Sequence, residues 1–114
     1  MKTEQELWDM IEKANWKLDH DYDRIKNEWS KLPKNEQDEI DKFISNKINI
    51  ISSKFQKDWL GDPGISVSDD GWMDLTAEVV GRGKEFYDNI TVKKLQEMAD
   101  TDDYEECFSY STHF

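Results

Sequence analysis

The chain has 114 residues, of which 36% are hydrophobic and 36% are charged, and its formal net charge is −11. This length suits one ordinary domain, and the five Trp, five Phe and four Tyr argue against a disordered acidic chain, which would lack aromatic residues. The negative charge argues against direct binding to nucleic acid, because phosphate backbones are repelled.

The negative charge is concentrated in the second half of the chain. Residues 1–60 contain 13 acidic and 11 basic side chains, whereas residues 61–114 contain 13 acidic and 4 basic ones. A field of this kind attracts a basic protein surface. The alternative, that the acidity only keeps the protein in solution, stays open.

Three observations predict a cytoplasmic protein. No apolar run approaches the roughly 18 residues of a membrane span. The first residues, Met-Lys-Thr-Glu-Gln-Glu, are too polar for a signal peptide. Cys107 is the single cysteine, so no internal disulfide can form, as is typical of a reducing compartment.

Helical spacing begins close to the start of the chain. Thr3 and Glu6 have the pattern of a capping box. Apolar residues then recur at three- and four-residue steps, which predicts a first helix over about residues 4–18. A second, shorter stripe stops near Pro33. These two stripes comprise Leu7, Met10, Ile11, Ala14 and Leu18, followed by Tyr22, Ile25, Trp29 and Leu32.

The third helix is predicted to be the longest. Asn35 is its predicted N-cap, and one apolar face runs over about residues 36–59, almost to Gly61. Only Lys47 interrupts this face, and its alkyl stem can lie along apolar surface. The apolar members are Ile40, Phe43, Ile44, Ile48, Ile51, Phe55 and Trp59.

Shorter helices follow a predicted loop, Gly-Asp-Pro-Gly at residues 61–64, and an extended stretch at residues 65–68. A fourth helix starts at Ser68 or Asp69, and Gly81 and Gly83 end or bend it. A fifth contains Phe86, Tyr87 and Ile90, Thr91 caps a sixth, and Tyr104, Cys107 and Phe108 mark a last helical stretch. The predicted fold is all-α: a compact single-domain helical bundle over residues 1–114, with about five to seven helices and one long central helix.

Three motifs recur in the order found in a bacterial domain-of-unknown-function family. They are Leu-Trp-Asp-Met-Ile at residues 7–11, Ser-Asp-Asp-Gly-Trp at residues 68–72 and Gly-Lys-Glu-Phe-Tyr at residues 83–87. In this respect the chain resembles DUF family 4240, and the resemblance extends to residues 39–43 of the long helix. It implies a small helical fold and supplies no established chemistry.

A row of carboxylates is the first candidate site. Asp70, Asp74 and Glu78 follow one another at four-residue steps, hence on one face of the fourth helix, with Asp69 at its start. Three interpretations are open: helix capping with a solvated face, a stripe that docks Arg or Lys of a protein partner, and a metal site.

Other sites are weaker. The calcium-loop pattern fails because Ala77 stands where a bidentate Glu is required. His20, His113 and Cys107 do not complete a usual zinc set, and Cys107 is predicted to be buried. Arg82 is predicted to pair with Glu78 or Glu85, about one turn away.

The tryptophans divide into two groups. Trp16 follows Asn15 on the polar side of the first helix, so it is either an exposed interface anchor or covered by the second helix. The other four, Trp8, Trp29, Trp59 and Trp72, are predicted core residues.

The first functional hypothesis is a non-enzymatic inhibitor that docks on a basic, nucleic-acid-handling bacterial protein and requires no cofactor. A phage anti-defence protein such as an anti-CRISPR, or an immunity protein for a nuclease toxin, fits this description as a nucleic-acid mimic. The alternative is a divalent-metal-dependent hydrolase or nuclease that uses Asp69, Asp70 and Asp74. The predicted partner-binding residues are Asp69, Asp70, Asp74, Glu78, Asp102, Asp103, Glu105, Glu106 and Trp16.

Overall fold

The chain folds into helices throughout, as its sequence predicts. The computed structural model describes residues 1–62 and 64–114, and Pro63 of the predicted loop lies outside them. Within these two ranges there is no β-strand, so the predicted all-α class is confirmed. The α-helices are α1 (Glu4–Ala14), α2 (Trp16–Asp19), α3 (Tyr22–Trp29), α4 (Lys34–Leu60), α5 (Asp69–Gly81), α6 (Lys84–Asp88) and α7 (Val92–Asp100), followed by a 3₁₀ helix at Phe108–Thr112.

Helix α4 is the predicted long helix. Its 27 residues span about 40 Å at 1.5 Å per residue, close to the longest dimension of the molecule, 45 Å. The predicted cap at Asn35 is wrong, because the helix already begins at Lys34 with Pro33 in the N-cap position. Proline has a fixed φ that is compatible with a helix start, so no side-chain cap is needed there.

Three other helix starts follow the predicted capping chemistry. The Thr3 hydroxyl accepts a hydrogen bond from the Glu6 N–H at 3.2 Å, completing the capping box of α1. The Ser68 hydroxyl accepts from the Gly71 N–H, and the Thr91 hydroxyl from the Lys94 N–H, each at 3.1 Å. Short polar side chains therefore define where α1, α5 and α7 begin.

The first helix is shorter than predicted. It ends at Ala14 because Asn15 adopts a left-handed conformation with φ of 51°, which asparagine tolerates better than most residues. The four residues of α2 then form a separate turn that ends at His20, again left-handed. This break changes the direction of the chain and places Trp16 inside the protein.

Two predictions near the end of the chain are also wrong in detail. Ile90 lies beyond α6, and Tyr104 and Cys107 lie outside the last helical element, which is a 3₁₀ helix that starts at Phe108. Asp102 has a left-handed φ of 53°. The acidic residues after it would repel one another on a helix, so an irregular segment replaces the predicted one.

Aromatic side chains fill much of the core, as predicted. Trp8, Trp16 and Phe108 are almost completely buried, and Trp59 stacks on Trp72 with ring centroids 5.0 Å apart. Helix α5 packs on α4, and the 3₁₀ helix packs against α3, α4 and α5. Within residues 1–62 and 64–114, every helix is too short or too polar to cross a bilayer.

Candidate functional site

The carboxylate row of α5 passes from the surface into the core. Asp70 is exposed, Asp74 is half-buried and Glu78 is completely buried. The reason is that the last seven residues of α5, from Leu75 to Gly81, are buried on every side of the helix. Side chains at the same helical spacing therefore occupy three different environments.

Glu78 is hydrogen-bonded on both carboxylate oxygens. Its Oε1 accepts from the Trp16 Nε1 at 2.9 Å and from the backbone N–H of Glu105 at 3.3 Å. Its Oε2 accepts from the Arg82 Nε at 2.8 Å and lies 3.4 Å from the Nε2 of His20. This set of partners compensates a charge that would otherwise be strongly destabilising in the core.

Arg82 continues the network toward the surface. Its Nη2 donates to the backbone carbonyl of Asp103 and to the carboxylate of the same residue, each at 2.9 Å. The guanidinium lies 4.9 Å from the ring centre of Phe86, and only 7% of the side chain is exposed. The predicted pairing of Arg82 with Glu78 is confirmed.

Two of the predicted partner-binding residues are therefore misplaced. Glu78 and Trp16 both have 0% exposure, and they hydrogen-bond to each other. Neither side chain can contact a partner, because core atoms cover both. Asp103 is half-buried, and its carboxylate is paired with Arg82 and, at 3.7 Å, with Lys17. It therefore adds little to any negative surface.

The remaining carboxylates of the row, Asp70 and Asp74, are influenced by the charge of Glu106. The pKa of Asp74 is raised, first by its partial burial and then by the charges of Glu106 and Asp70, while the backbone of Cys107 acts in the opposite direction. Asp70 and Asp74 lie about one turn apart on α5, and Glu106 is close enough for its charge to act on Asp74. Together with Asp69 at the start of α5, we call these residues the acidic patch.

The acidic patch lacks compensating positive charge. Among the residues that the structure describes, its four carboxylates form no ion pair with Lys or Arg. Lys84 of α6 and Lys94 of α7 pair with acids of their own helices, Asp88 and Glu97. The field of the patch is thus left to solvent or to a binding partner.

Tyrosines lie beside the acidic patch. The charge of Glu106 is the largest cause of the raised pKa of Tyr22, and Tyr22 packs edge-to-face on Tyr110 with centroids 5.4 Å apart. The pKa of Tyr104 is raised by burial and by the charges of Asp102 and Asp74. Aromatic faces next to carboxylates are suited to the cationic side chains of lysine and arginine.

The last predicted residues are Asp102 and Glu105. Both side chains are exposed, whereas the backbone N–H of Glu105 is bound to Glu78 in the interior. Of the predicted residues, the acidic patch thus contains Asp69, Asp70, Asp74 and Glu106.

The described part of the chain was compared with the requirements of a metal site and of a reactive cysteine. No group of three or more His, Cys, Asp or Glu side chains there is arranged to hold a metal ion. Cys107 is buried, as predicted, and its Sγ lies 2.8 Å from the Ser109 hydroxyl. Burial raises the pKa of this thiol, which disfavours the reactive thiolate.

A cavity of about 920 Å³ lies elsewhere, between the end of α4 and α7. Lys57 and Lys93 line it, and so do Asp58, Glu97 and Asp100, so its walls carry charges of both signs. None of the predicted site residues lines it. Its mixed charge does not select a class of ligand.

The buried network was missed by the sequence analysis, although one signal was present. The sequence Leu-Thr-Ala-Glu-Val-Val-Gly at residues 75–81 contains a single charged residue. A helix that is apolar on all sides is a buried helix, so Glu78 in the middle of it requires a cationic partner such as Arg82 one turn later. No comparable pattern in the sequence indicated that Trp16 donates a hydrogen bond to Glu78.

The chain matches no protein-family model, no curated protein and no solved structure. The resemblance to DUF family 4240 therefore stays a prediction.

Proposed function

We propose that the protein is an acidic, non-enzymatic binding protein that docks on a basic surface of a nucleic-acid-handling protein. The supporting observation is the acidic patch, in which Asp69, Asp70, Asp74 and Glu106 carry no described ion-pair partner. Burial and neighbouring charges raise the pKa of Asp74. A cation delivered by a partner relieves this repulsion.

Electrostatics gives this proposal its mechanism. The net charge of −11, concentrated behind residue 60, steers the protein toward a positively charged groove over distances comparable to the Debye length. Once docked, the carboxylates occupy the positions of phosphates, and Tyr22 and Tyr110 offer aromatic contacts to Arg or Lys. Occlusion of the groove then blocks nucleic acid.

The proposed setting is the bacterial cytoplasm. A phage anti-defence protein such as an anti-CRISPR, or an immunity protein against a nuclease toxin, fits this mode of action. The metal-dependent hydrolase has no comparable support, since Asp69, Asp70 and Asp74 are not arranged as a metal site.

Reversal of three exposed charges tests the proposal. We expect the variant Asp69→Lys, Asp70→Lys, Glu106→Lys to lose binding to an oligo-arginine peptide by about 10-fold or more at low ionic strength, measured by calorimetry. Glu78 is excluded from the set, because a lysine in its place would be buried beside Arg82 and would unfold the protein.

The matched control changes the net charge equally at exposed sites on other helices, α1 and α3, with Asp9→Lys, Asp23→Lys and Glu28→Lys. It should retain most of the affinity if the acidic patch is the docking surface. Equal losses in both variants would show that net charge alone attracts the peptide, and the proposed docking surface would be abandoned.

A further inference from the structure

The buried ion pair of Glu78 and Arg82 binds the segment of residues 102–106 on the side that faces the core. Glu78 binds the backbone N–H of Glu105, and Arg82 binds both the carbonyl and the carboxylate of Asp103. The last turn of α5 and its C-cap residue, Arg82, thus hold the backbone of a segment that contains the exposed Glu105 and Glu106.

This segment has few internal restraints. It lies outside the regular helices, and Asp102 has a left-handed φ of 53°. A hydrogen bond of 2.9 Å from the Asp103 N–H to the Met98 carbonyl ties its start to α7. Beyond that point, the described backbone contacts of residues 103–105 are those made to Glu78 and Arg82.

Stability alone does not explain why a charged pair occupies this position. Transfer of both ions from water costs much of what their attraction returns, and well-packed apolar residues of similar volume are often as stable. What apolar residues cannot do is recognise a specific carbonyl and carboxylate. Arg82 does so, because its planar guanidinium fixes the direction of Nη2 toward Asp103 while Nε is held by Glu78.

We infer that Glu78 and Arg82 are positioning residues, which hold residues 103–106 in one conformation and thereby fix where Glu105 and Glu106 project. A segment ordered in advance loses less entropy when a partner binds. The positioning role follows from the contacts themselves, whereas its consequence for binding rests on the proposed function.

An apolar replacement of the pair separates positioning from stability. We expect the variant Glu78→Leu, Arg82→Met to stay folded, with a lowered unfolding midpoint because the buried Trp16 indole N–H loses its acceptor. Relative to the amides of α4, the backbone amides of residues 103–106 should exchange with solvent at least about 10-fold faster. Its affinity for an oligo-arginine peptide should fall about 3- to 10-fold, although no exposed carboxylate has been removed. Hydrogen exchange and calorimetry measure the two effects.

The matched control is Lys84→Gln, Asp88→Asn, which neutralises an exposed pair at the same four-residue spacing on α6. Neither the exchange rates of residues 103–106 nor the peptide affinity should change. A second test variant, Arg82→Lys, retains the positive charge but lacks the planar guanidinium. This variant should also have faster amide exchange at residues 103–106. If the apolar variant does not fold, the exchange rates of Arg82→Lys alone test the positioning role.

Unchanged exchange in the folded variants would overturn the inference, even if binding were lost. Faster exchange with unchanged peptide affinity would support the positioning role and count against a docking role for residues 105 and 106. The two proposals therefore fail through different measurements.

Discussion

The two halves of helix α5 carry the same chemical group in opposite settings. In the first half, Asp70 is exposed at the helix start, where the dipole favours negative charge. In the second half, Glu78 is buried and depends on Trp16 and Arg82 for compensation. The difference teaches that a periodic row of carboxylates describes an interaction surface only as far as its helix remains at the surface.

The largest expected effect comes from breaking the buried half. We predict that Glu78→Ala lowers the free energy of unfolding by about 3–5 kcal/mol, because Arg82 loses its buried partner and the buried Trp16 N–H loses its acceptor. Denaturant unfolding measures the loss. The corresponding change in the exposed half, Asp70→Ala, should stay within about 0.5 kcal/mol. Similar losses of unfolding free energy for both variants would contradict the difference between the buried and exposed halves of α5.

A smaller effect is expected from crowding the buried half without altering its charge. A Cβ at Gly81 would lie 2.9 Å from the Trp16 Cδ1 and 3.0 Å from the Phe108 Cγ. Overpacking costs about 1–3 kcal/mol, whereas the gain in helix propensity is at most about 1 kcal/mol. Gly81→Ala should therefore be destabilising, as measured by thermal unfolding. A more stable variant would show that the two rings shift easily.

The smallest expected effect comes from removal of the charge of Asp74, between the exposed and the buried half of α5. The folded-state pKa of Asp74 is raised, so its ionised form opposes folding at neutral pH. Its protonation on acidification therefore removes a destabilising term. Asp74→Asn should be more stable than the parent at pH 7, by about 0.2–0.5 kcal/mol from the lost Asp70 repulsion alone.

This advantage should shrink as the pH falls through the raised pKa of Asp74. Unfolding curves recorded across the acidic range measure it. A gap between the two proteins that stays constant from neutral to acidic pH would contradict the assigned cause.

Local chemistry made most of the fold predictable. Thr3, Ser68 and Thr91 cap helices because their hydroxyls satisfy free N–H groups, and the apolar period of α4 identified its buried face. What local patterns cannot supply is the direction of the chain after a break. After the left-handed Asn15, Trp16 is buried, and it supplies one of the hydrogen bonds to Glu78.

The candidate site was predictable in part for the same reason. Asp69, Asp70 and Asp74 follow from helical spacing, and the exposure of Asp69 and Asp70 follows from their place at the start of α5. The neighbourhood of Glu106 and Asp74 depends on an irregular segment that returns to α5 from a distance of about 30 residues in the chain, a contact that periodicity does not encode.

The parallel stack of Trp59 on Trp72 has a spectroscopic consequence. The rings come from α4 and α5, on either side of the loop, and lie 5.0 Å apart with an interplanar angle of 5°. Their ultraviolet transitions couple only while the two helices stay in register, so the pair gives the molecule an intrinsic circular-dichroism signal. That signal reports the packing of α4 against α5 without any added dye.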